Sequence, residues 1–174
     1  MLASTSRFPG GPPLERPLDP AKLGDHLDRL YRAAWALCGS REDAEDLVQE
    51  TYARVLSKPR LLRRDDDLGY LITALRNTFF VQQRTRSRRP REARMPEHAE
   101  FESPPAQRPE EITERREVFA AIAALPDDFR DVLVAVDVAG LAYEEAASSL
   151  GIPVGTVMSR LYRARQHVVR ALGS

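Results

Sequence analysis

Basic and hydroxyl side chains gather near the end of the chain, on a segment whose spacing suits contact with nucleic acid. Two helical patterns of apolar residues, Tyr143–Leu150 and Val154–Leu172, meet there at Gly151. Glycine can adopt the positive φ that ends a helix, and Pro153 suits the start of the next one. Five polar side chains on the remaining surface of the second helix are candidates for such contact: Thr156, Ser159, Arg160, Arg163 and Arg165.

This spacing predicts a helix-turn-helix whose second helix enters the major groove of DNA. Arginine can make paired hydrogen bonds to guanine edges, and serine or threonine can bond phosphates or bases. No acidic residue follows Val154. A plain pair of antiparallel helices with a solvated basic face is the alternative. We favour the helix-turn-helix because the small residue Ala147, Gly151 and Pro153 all fall in register.

A second polar cluster lies on a helix predicted over residues 68–86 and on the arginines that follow it. Beside an apolar stripe, this segment carries an aromatic, an amide and several arginine side chains: Tyr70, Arg76, Asn77, Arg84, Arg86, Arg88 and Arg89. Aromatic rings can stack on unpaired bases, and amide and guanidinium groups can bond phosphates and base edges. The cluster therefore suits single-stranded nucleic acid. The alternative is a basic helix end that complements its own dipole.

The helix predicted over Arg41–Ser57 has an acidic face. Its apolar stripe includes Ala44, Leu47 and Val48, and the opposite face carries Glu42, Glu45, Asp46, Gln49 and Glu50. Periodicity alone favours a solvated surface for this face.

Helical periodicity predicts an all-α fold of two small helical domains joined by a flexible linker. Residues 1–20 are rich in proline and glycine and predict a disordered tail. The first domain, residues 21–90, holds three amphipathic helices, the first over residues 21–38. Residues 91–109 form a proline-rich linker. Residues 110–174 form the second domain, which ends in the helix-turn-helix, and no segment gives a clear strand pattern.

Composition excludes several classes of function. The chain has 174 residues, of which 43% are hydrophobic and 30% charged, and these values are typical of a soluble globular protein. No apolar run approaches the roughly 20 residues that span a bilayer, so we expect a cytoplasmic protein with no membrane insertion. The single cysteine, Cys38, excludes an internal disulfide bond. The histidines lack metal-ligand spacing, so we expect no metal, no cofactor and no enzymatic activity: His26, His98 and His167.

Charge is unevenly distributed although the formal net charge is zero. Residues 84–94 contain six arginines and one glutamate, and residues 154–174 contain four arginines and no acid. Residues 97–117 hold seven glutamates and three arginines. Two basic patches separated by an acidic segment indicate two contacts with one polyanion.

Four motifs in this order resemble the extracytoplasmic-function (group 4) sigma factors of the sigma-70 family. They are Asp-Ala-Glu-Asp-Leu-Val-Gln-Glu-Thr-Tyr from Asp43, Gly-Tyr-Leu-Ile-Thr-Ala-Leu-Arg-Asn from Gly69, Leu-Pro-Asp-Asp-Phe-Arg-Asp-Val from Leu125, and Gly-Ile-Pro-Val-Gly-Thr-Val-Met-Ser-Arg-Leu-Tyr-Arg-Ala-Arg from Gly151. The resemblance covers about residues 23–172. Tyr70 stands where the family commonly has a tryptophan.

The resemblance implies a transcription initiation factor whose first domain is sigma region 2 and whose second domain is sigma region 4. Five residues of the acidic helix would bind the β′ clamp helices of core RNA polymerase: Asp43, Asp46, Leu47, Gln49 and Glu50. The single-strand cluster would hold the melted −10 promoter element, and the five polar residues of the last helix would read the −35 element. The resemblance also implies contact with the β flap of the polymerase and control by an anti-sigma factor.

A stand-alone helix-turn-helix regulator is the remaining alternative. Such a protein binds palindromic half-sites as a dimer, and its first domain would serve dimerisation or ligand binding. This alternative gives the acidic helix face no role.

Overall fold

The computed structural model describes residues 16–58, 61–62, 67–88 and 109–173 of the chain. Seven α-helices make up most of these residues: α1 Leu27–Cys38, α2 Arg41–Ser57, α3 Asp67–Arg88, α4 Pro109–Ala123, α5 Asp127–Leu133, α6 Tyr143–Leu150 and α7 Val154–Leu172. A 3₁₀ segment, Pro20–His26, precedes α1, and a π-helical turn, Val134–Val138, continues α5. The predicted all-α class and its two helical domains are confirmed, with α1–α3 as the first domain and α4–α7 as the second.

The last residues assigned to the predicted tail form secondary structure. Two-residue strands, β1 (Arg16–Pro17) and β2 (Leu61–Leu62), pair in antiparallel fashion. The Asp19 carboxylate accepts a hydrogen bond of 2.9 Å from the Ala21 amide and caps the 3₁₀ segment. Of the predicted tail 1–20, the described residues Arg16–Pro20 thus take part in a strand pair and in the start of a 3₁₀ segment. Strands of two residues are too short for the alternation that predicts a strand.

Two predicted segments fall wholly or partly outside the described residues. Residues 1–15 of the predicted tail lie outside the described residues. Residues 91–108 of the predicted linker also lie outside them, and Pro109, its last residue, begins α4.

The first domain is a bundle of α1, α2 and α3. Leu30, Leu71 and Leu75 are completely buried at its centre. Gly39, with φ 78°, ends α1 in the left-handed conformation, and the Ser40 hydroxyl accepts the Asp43 amide at 3.3 Å to cap α2. Local signals of this kind explain why the bounds of α2 follow from the sequence.

The second domain ends in the predicted helix-turn-helix. Gly151 has φ 67° and ends α6, and α7 begins after Pro153. The apolar spacing predicts a buried stripe of eight residues: Ala146, Ala147, Leu150, Val157, Leu161, Ala164, Val168 and Leu172. Five of these are buried, namely Ala146, Ala147, Val157, Leu161 and Ala164, whereas Leu150 and Val168 are half-buried. Leu172 is exposed, so the predicted stripe extends too far towards the end of α7.

The two domains pack against each other and share one hydrophobic core. The Trp35 ring of α1 lies 4.6 Å from the Phe119 ring of α4, centroid to centroid. Helix α1 also packs on the π-helical turn, and α3 packs on α6. Among the described helices, none combines the length and the apolarity that a membrane crossing requires.

Candidate nucleic-acid interface

The turn of the helix-turn-helix is fixed by backbone hydrogen bonds. The Ile152 amide donates to the Ala147 carbonyl at 3.1 Å, which closes the end of α6 around Gly151. The amides of Thr156 and Val157 donate to the Pro153 carbonyl at 2.9 and 3.1 Å and start α7. Val157 then packs into the core while the opposite face of α7 remains open.

Three of the five predicted −35 residues present polar atoms on the open face of α7. Ser159 and Arg163 are exposed, and Thr156 is half-buried. The Ser159 hydroxyl donates to the Thr156 carbonyl at 3.2 Å. Arg163 has no hydrogen-bond or ion-pair partner among the described residues, so its guanidinium is available to a phosphate or a base edge.

The other two predicted −35 residues are paired within the protein. Arg160 lies 2.8 Å from an oxygen of Asp128. Arg165 donates to both carboxylate oxygens of Asp137, from Nε at 2.8 Å and from an Nη at 2.7 Å. The hydrogen bonds to Asp137 raise the pKa of Arg165. In the free chain both guanidinium groups are therefore engaged with a carboxylate.

Two large side chains on α7 were not among the predicted site residues. Tyr162 is 67% exposed and Met158 is 53% exposed. They lie beside the polar face because neither falls on the buried register of Val157, Leu161 and Ala164. The same helical spacing could have predicted from the sequence that Met158 and Tyr162 are exposed on this surface.

The predicted −10 residues also divide into exposed residues and residues that are paired within the protein. Asn77, Arg84 and Arg88 are exposed, Tyr70 is half-buried, and Arg89 lies outside the described residues.

Two arginines of this −10 cluster are already engaged. Arg76 Nε donates to Asp131 of the second domain at 2.5 Å, and the Arg76 guanidinium lies 4.9 Å from the Phe80 ring centroid. Arg86 donates to Asp43 of α2 at 2.5 Å, and this hydrogen bond raises the pKa of Arg86. The second ion pair joins the predicted −10 cluster to the acidic helix.

The acidic face of α2 is partly free. Asp46 and Gln49 are exposed and have no hydrogen-bond partner among the described residues. Glu50 accepts a hydrogen bond of 2.6 Å from Arg54. Leu47 is the exception among the predicted polymerase-binding residues, because its side chain is completely buried between the helices of the first domain. Its assignment to a binding surface is corrected accordingly.

The described residues contain no group of three or more His, Cys, Asp or Glu side chains placed to hold a metal ion. Burial raises the pKa of the Cys38 thiol to about 12, and the nearby Asp43 carboxylate adds to the shift. A thiol in this state is a poor nucleophile. The geometry therefore favours binding surfaces.

Comparison with known proteins agrees with both domains. Sigma-70 region 2 matches residues 23–89, and Sigma-70, region 4 matches residues 115–168. The ECF RNA polymerase sigma factor EcfG of Rhodopseudomonas palustris is 38% identical over 137 residues, which cover 78% of this chain and 75% of that protein. The ECF RNA polymerase sigma factor SigE of Mycolicibacterium smegmatis is 38% identical over 149 residues, or 82% of this chain. This chain spans 57% of that relative.

A solved structure resembles the whole arrangement. The sigma factor RpoE of Bartonella quintana, crystallised with the anti-sigma factor NepR, has a TM-score of 0.62 and 27% sequence identity to this chain. The likeness covers 88% of this chain and 95% of that one. Two sigma-70 regions in this order favour the sigma factor over the stand-alone regulator. The chain therefore belongs to the extracytoplasmic-function sigma factors of the sigma-70 family.

Proposed function

We propose that this chain binds core RNA polymerase, directs it to promoters with −10 and −35 elements, and assists opening of the duplex. One observation carries the proposal. The helix-turn-helix leaves the N-terminal half of α7 open with Ser159 and Arg163 on its surface, while α2 presents a separate acidic face at Asp46 and Gln49. One chain thus offers a surface of the kind that binds DNA and another that suits a basic protein partner.

The proposed polymerase contact is the exposed part of the acidic face. Asp46 and Gln49 form its centre, and Asp43 and Glu50 flank them. Arg86 and Arg54 partly neutralise the flanking carboxylates. The β′ clamp helices are the proposed partner. Leu47 packs in the core of the first domain beneath this surface and is not proposed to contact the polymerase.

For the −10 element, the proposed surface is centred on Asn77 with Tyr70, Arg84 and Arg88 around it. A tyrosine ring can stack on an unpaired base, and arginines can follow the backbone of a single strand. Arg76, Arg86 and Arg89 complete the proposed surface. Base stacking would hold the strand after the duplex opens.

The proposed −35 contact begins with Ser159, Arg163 and Thr156. Arg160 and Arg165 can join it after they leave Asp128 and Asp137. The exposed Met158 and Tyr162 offer apolar contact to thymine methyl groups, which distinguish thymine in the major groove.

Exposed apolar residues at the end of α7 support the proposed contact with the β flap. Val169 is 68% exposed, and Leu172 is exposed beside it. Adjacent apolar side chains of this kind favour a protein partner.

Regulation by an anti-sigma factor is proposed because the similar RpoE of Bartonella quintana was crystallised with one. The proposed partners act in the cytoplasm.

The test measures the affinity of the full chain for core polymerase. The variant Asp46→Lys/Glu50→Lys reverses two charges on α2, and Asp25→Lys/Asp28→Lys reverses two exposed charges elsewhere in the first domain. We expect the first pair to weaken binding by on the order of tenfold or more, about 1.4 kcal/mol. The second pair should leave the affinity close to that of the wild type. Equal effects of the two pairs, or no binding of the wild type to core polymerase, would contradict the proposal.

A further inference from the structure

The segment that precedes α1 is fastened to the first domain along its length. We call this segment, Arg16–His26, the N-terminal strap. Its strand β1 pairs with β2, with Arg16 opposite Leu62. Leu18 packs against the hydrophobic core, and Leu23 is only 6% exposed. The strap is therefore part of the packed first domain.

The hydrogen bonds of the strand pair depend on the backbone of Arg16. In a hydrogen-bonded antiparallel pair, two residues exchange bonds through both amides and both carbonyls. Pro17 has no amide hydrogen, so it cannot exchange two bonds with Leu61. Arg16 and Leu62 are therefore the pair that exchanges both bonds, and the Arg16 amide is the donor on β1.

The rest of the strap is held by a cap and by a contact to α2. The Asp19 carboxylate accepts the Ala21 amide at 2.9 Å, at the start of the 3₁₀ segment. The Tyr52 hydroxyl, on α2, donates to the Leu23 carbonyl at 2.9 Å. Burial raises the pKa of the Tyr52 hydroxyl. The strap thus joins α2 to β2.

The strap also lies beside the start of α3. Strand β2 ends four residues before Asp67, the first residue of α3, and Leu62 is only 8% exposed. At the other end of the strap, His26 lines one cleft together with Asp67 and Leu68. The chain that enters α3 is therefore flanked by both ends of the strap.

Tyr70 depends on this part of the fold for its position. It lies in the first turn of α3 and is half-buried. The proposed function gives its ring the task of stacking on an unpaired base of the −10 element. The first amides of a helix lack partners within the helix, and helix ends open more readily than helix centres. A stacking ring in a first turn therefore gains from any contact that holds the turn in place.

We infer that the N-terminal strap positions Tyr70 for base stacking, through the pairing of β1 with β2 and its contacts at the start of α3. The inference rests on the proposed function and adds a positioning element to the −10 surface. Arg16 acts through its backbone amide. The centre of the three-helix bundle is formed by Leu30, Leu71 and Leu75 outside the strap. The bundle should therefore stay folded when the strap is loosened.

The first test compares two substitutions at the same position of the full chain. Arg16→Pro removes the side chain and the amide hydrogen, whereas Arg16→Ala removes the side chain alone. Hydrogen exchange of the amides around Tyr70 is measured in the free chain. We expect faster exchange for Arg16→Pro than for Arg16→Ala, with circular dichroism unchanged in both. Equal exchange in a folded Arg16→Pro chain would overturn the inference.

The second test measures the affinity of reconstituted polymerase for a fluorescent promoter fragment whose −10 element is left unpaired. The fragment comes from a gene that the wild-type chain transcribes. From the usual strength of base stacking on an aromatic ring, Tyr70→Ala should lose about 5- to 150-fold in affinity. We expect Arg16→Pro to lose on the order of fivefold, as a part of that effect. Arg16→Ala should bind like the wild type.

A double variant separates positioning from other causes. Because the strap acts through Tyr70, adding Arg16→Pro to Tyr70→Ala should cause no further loss of affinity. Additive losses would overturn the inference. So would equal losses for Arg16→Pro and Arg16→Ala, which would show that the arginine side chain itself contacts DNA. The affinity of each variant for core polymerase should equal that of the wild type. Absence of transcription by the wild type would instead refute the proposed function, and the exchange experiment would still test the strap.

A second pair of variants loosens the strap from α2 and serves if Arg16→Pro does not fold. Tyr52→Phe removes the hydrogen bond to the Leu23 carbonyl. Tyr31→Phe is the matched control, because the Tyr31 hydroxyl accepts a bond of 3.2 Å from Arg41 in the same domain but outside the strap. We expect Tyr52→Phe alone to speed exchange in the first turn of α3 and to weaken binding of the unpaired −10 element. Equal effects of the two substitutions would contradict the inference.

Discussion

The arginines of α7 differ in the internal hydrogen bonds that compete with DNA for their guanidinium groups. Arg163 is exposed without a partner among the described residues, whereas Arg165 donates two hydrogen bonds to Asp137. We therefore predict that Arg163→Ala weakens promoter binding more than Arg165→Ala does. Asp137→Asn should strengthen binding, because it lowers the cost of releasing Arg165.

The magnitude follows from the exposure of the groups. A good arginine contact to a base edge is worth about 1–3 kcal/mol, or about 5- to 150-fold in affinity. Both partners of the Arg165–Asp137 pair are substantially exposed, and such pairs contribute about 0.2–1 kcal/mol. Breaking this pair costs part of the free energy that Arg165 gains on DNA. The loss of affinity for Arg165→Ala should therefore be smaller than that for Arg163→Ala by about 0.2–1 kcal/mol, or about 1.4- to fivefold.

The assay measures the affinity of reconstituted polymerase for a fluorescent promoter fragment at several salt concentrations. Each lost phosphate contact should lower the slope of log affinity against log salt by about 0.9. The double variant Asp137→Asn/Arg165→Ala completes a mutant cycle, and thermal unfolding checks that each variant folds. A larger loss for Arg165→Ala than for Arg163→Ala, or weaker binding by Asp137→Asn, would refute the reasoning.

Three further predictions concern single residues. Leu47→Ala should lower the free energy of unfolding by about 2–5 kcal/mol in urea denaturation, because Leu47 is completely buried; a stable variant that fails to bind polymerase would show direct contact instead. Gly155→Ala should raise the free energy of unfolding by about 0.4–1 kcal/mol, since no atom lies within 4 Å of the added Cβ; a lower melting temperature would contradict this. Cys38 has a pKa of about 12 and should react with a thiol reagent at pH 8 only after unfolding; rapid reaction of the native chain would show that the thiol is accessible.

Local signals explain which parts of the fold follow from the sequence. The end of α6, the start of α7 and the buried face of α7 depend on Gly151, Pro153 and apolar spacing within one short segment. The bounds of α2 depend similarly on Ser40 and its neighbours. The first helix was predicted too long, because Pro20–His26 forms a 3₁₀ segment in place of an α-helix.

The candidate site was less predictable because its electrostatics depend on tertiary contacts. Arg76 meets Asp131 across 55 positions of sequence, and Arg165 meets Asp137 across 28. No periodicity reveals such pairs. The assignment of Leu47 failed for another reason. A family motif on a helix includes residues from both faces, and the apolar stripe had already predicted that Leu47 faces the core.

Run-off transcription tests the central claim most directly. Purified core polymerase, the full chain and a library of upstream DNA sequences from the same genome are combined, and the transcripts are sequenced. The account predicts discrete transcripts whose templates share two short motifs near −10 and −35, and their loss with Asp46→Lys/Glu50→Lys but not with Asp25→Lys/Asp28→Lys. A chain that binds duplex DNA as a dimer and yields no transcript with core polymerase would contradict the account.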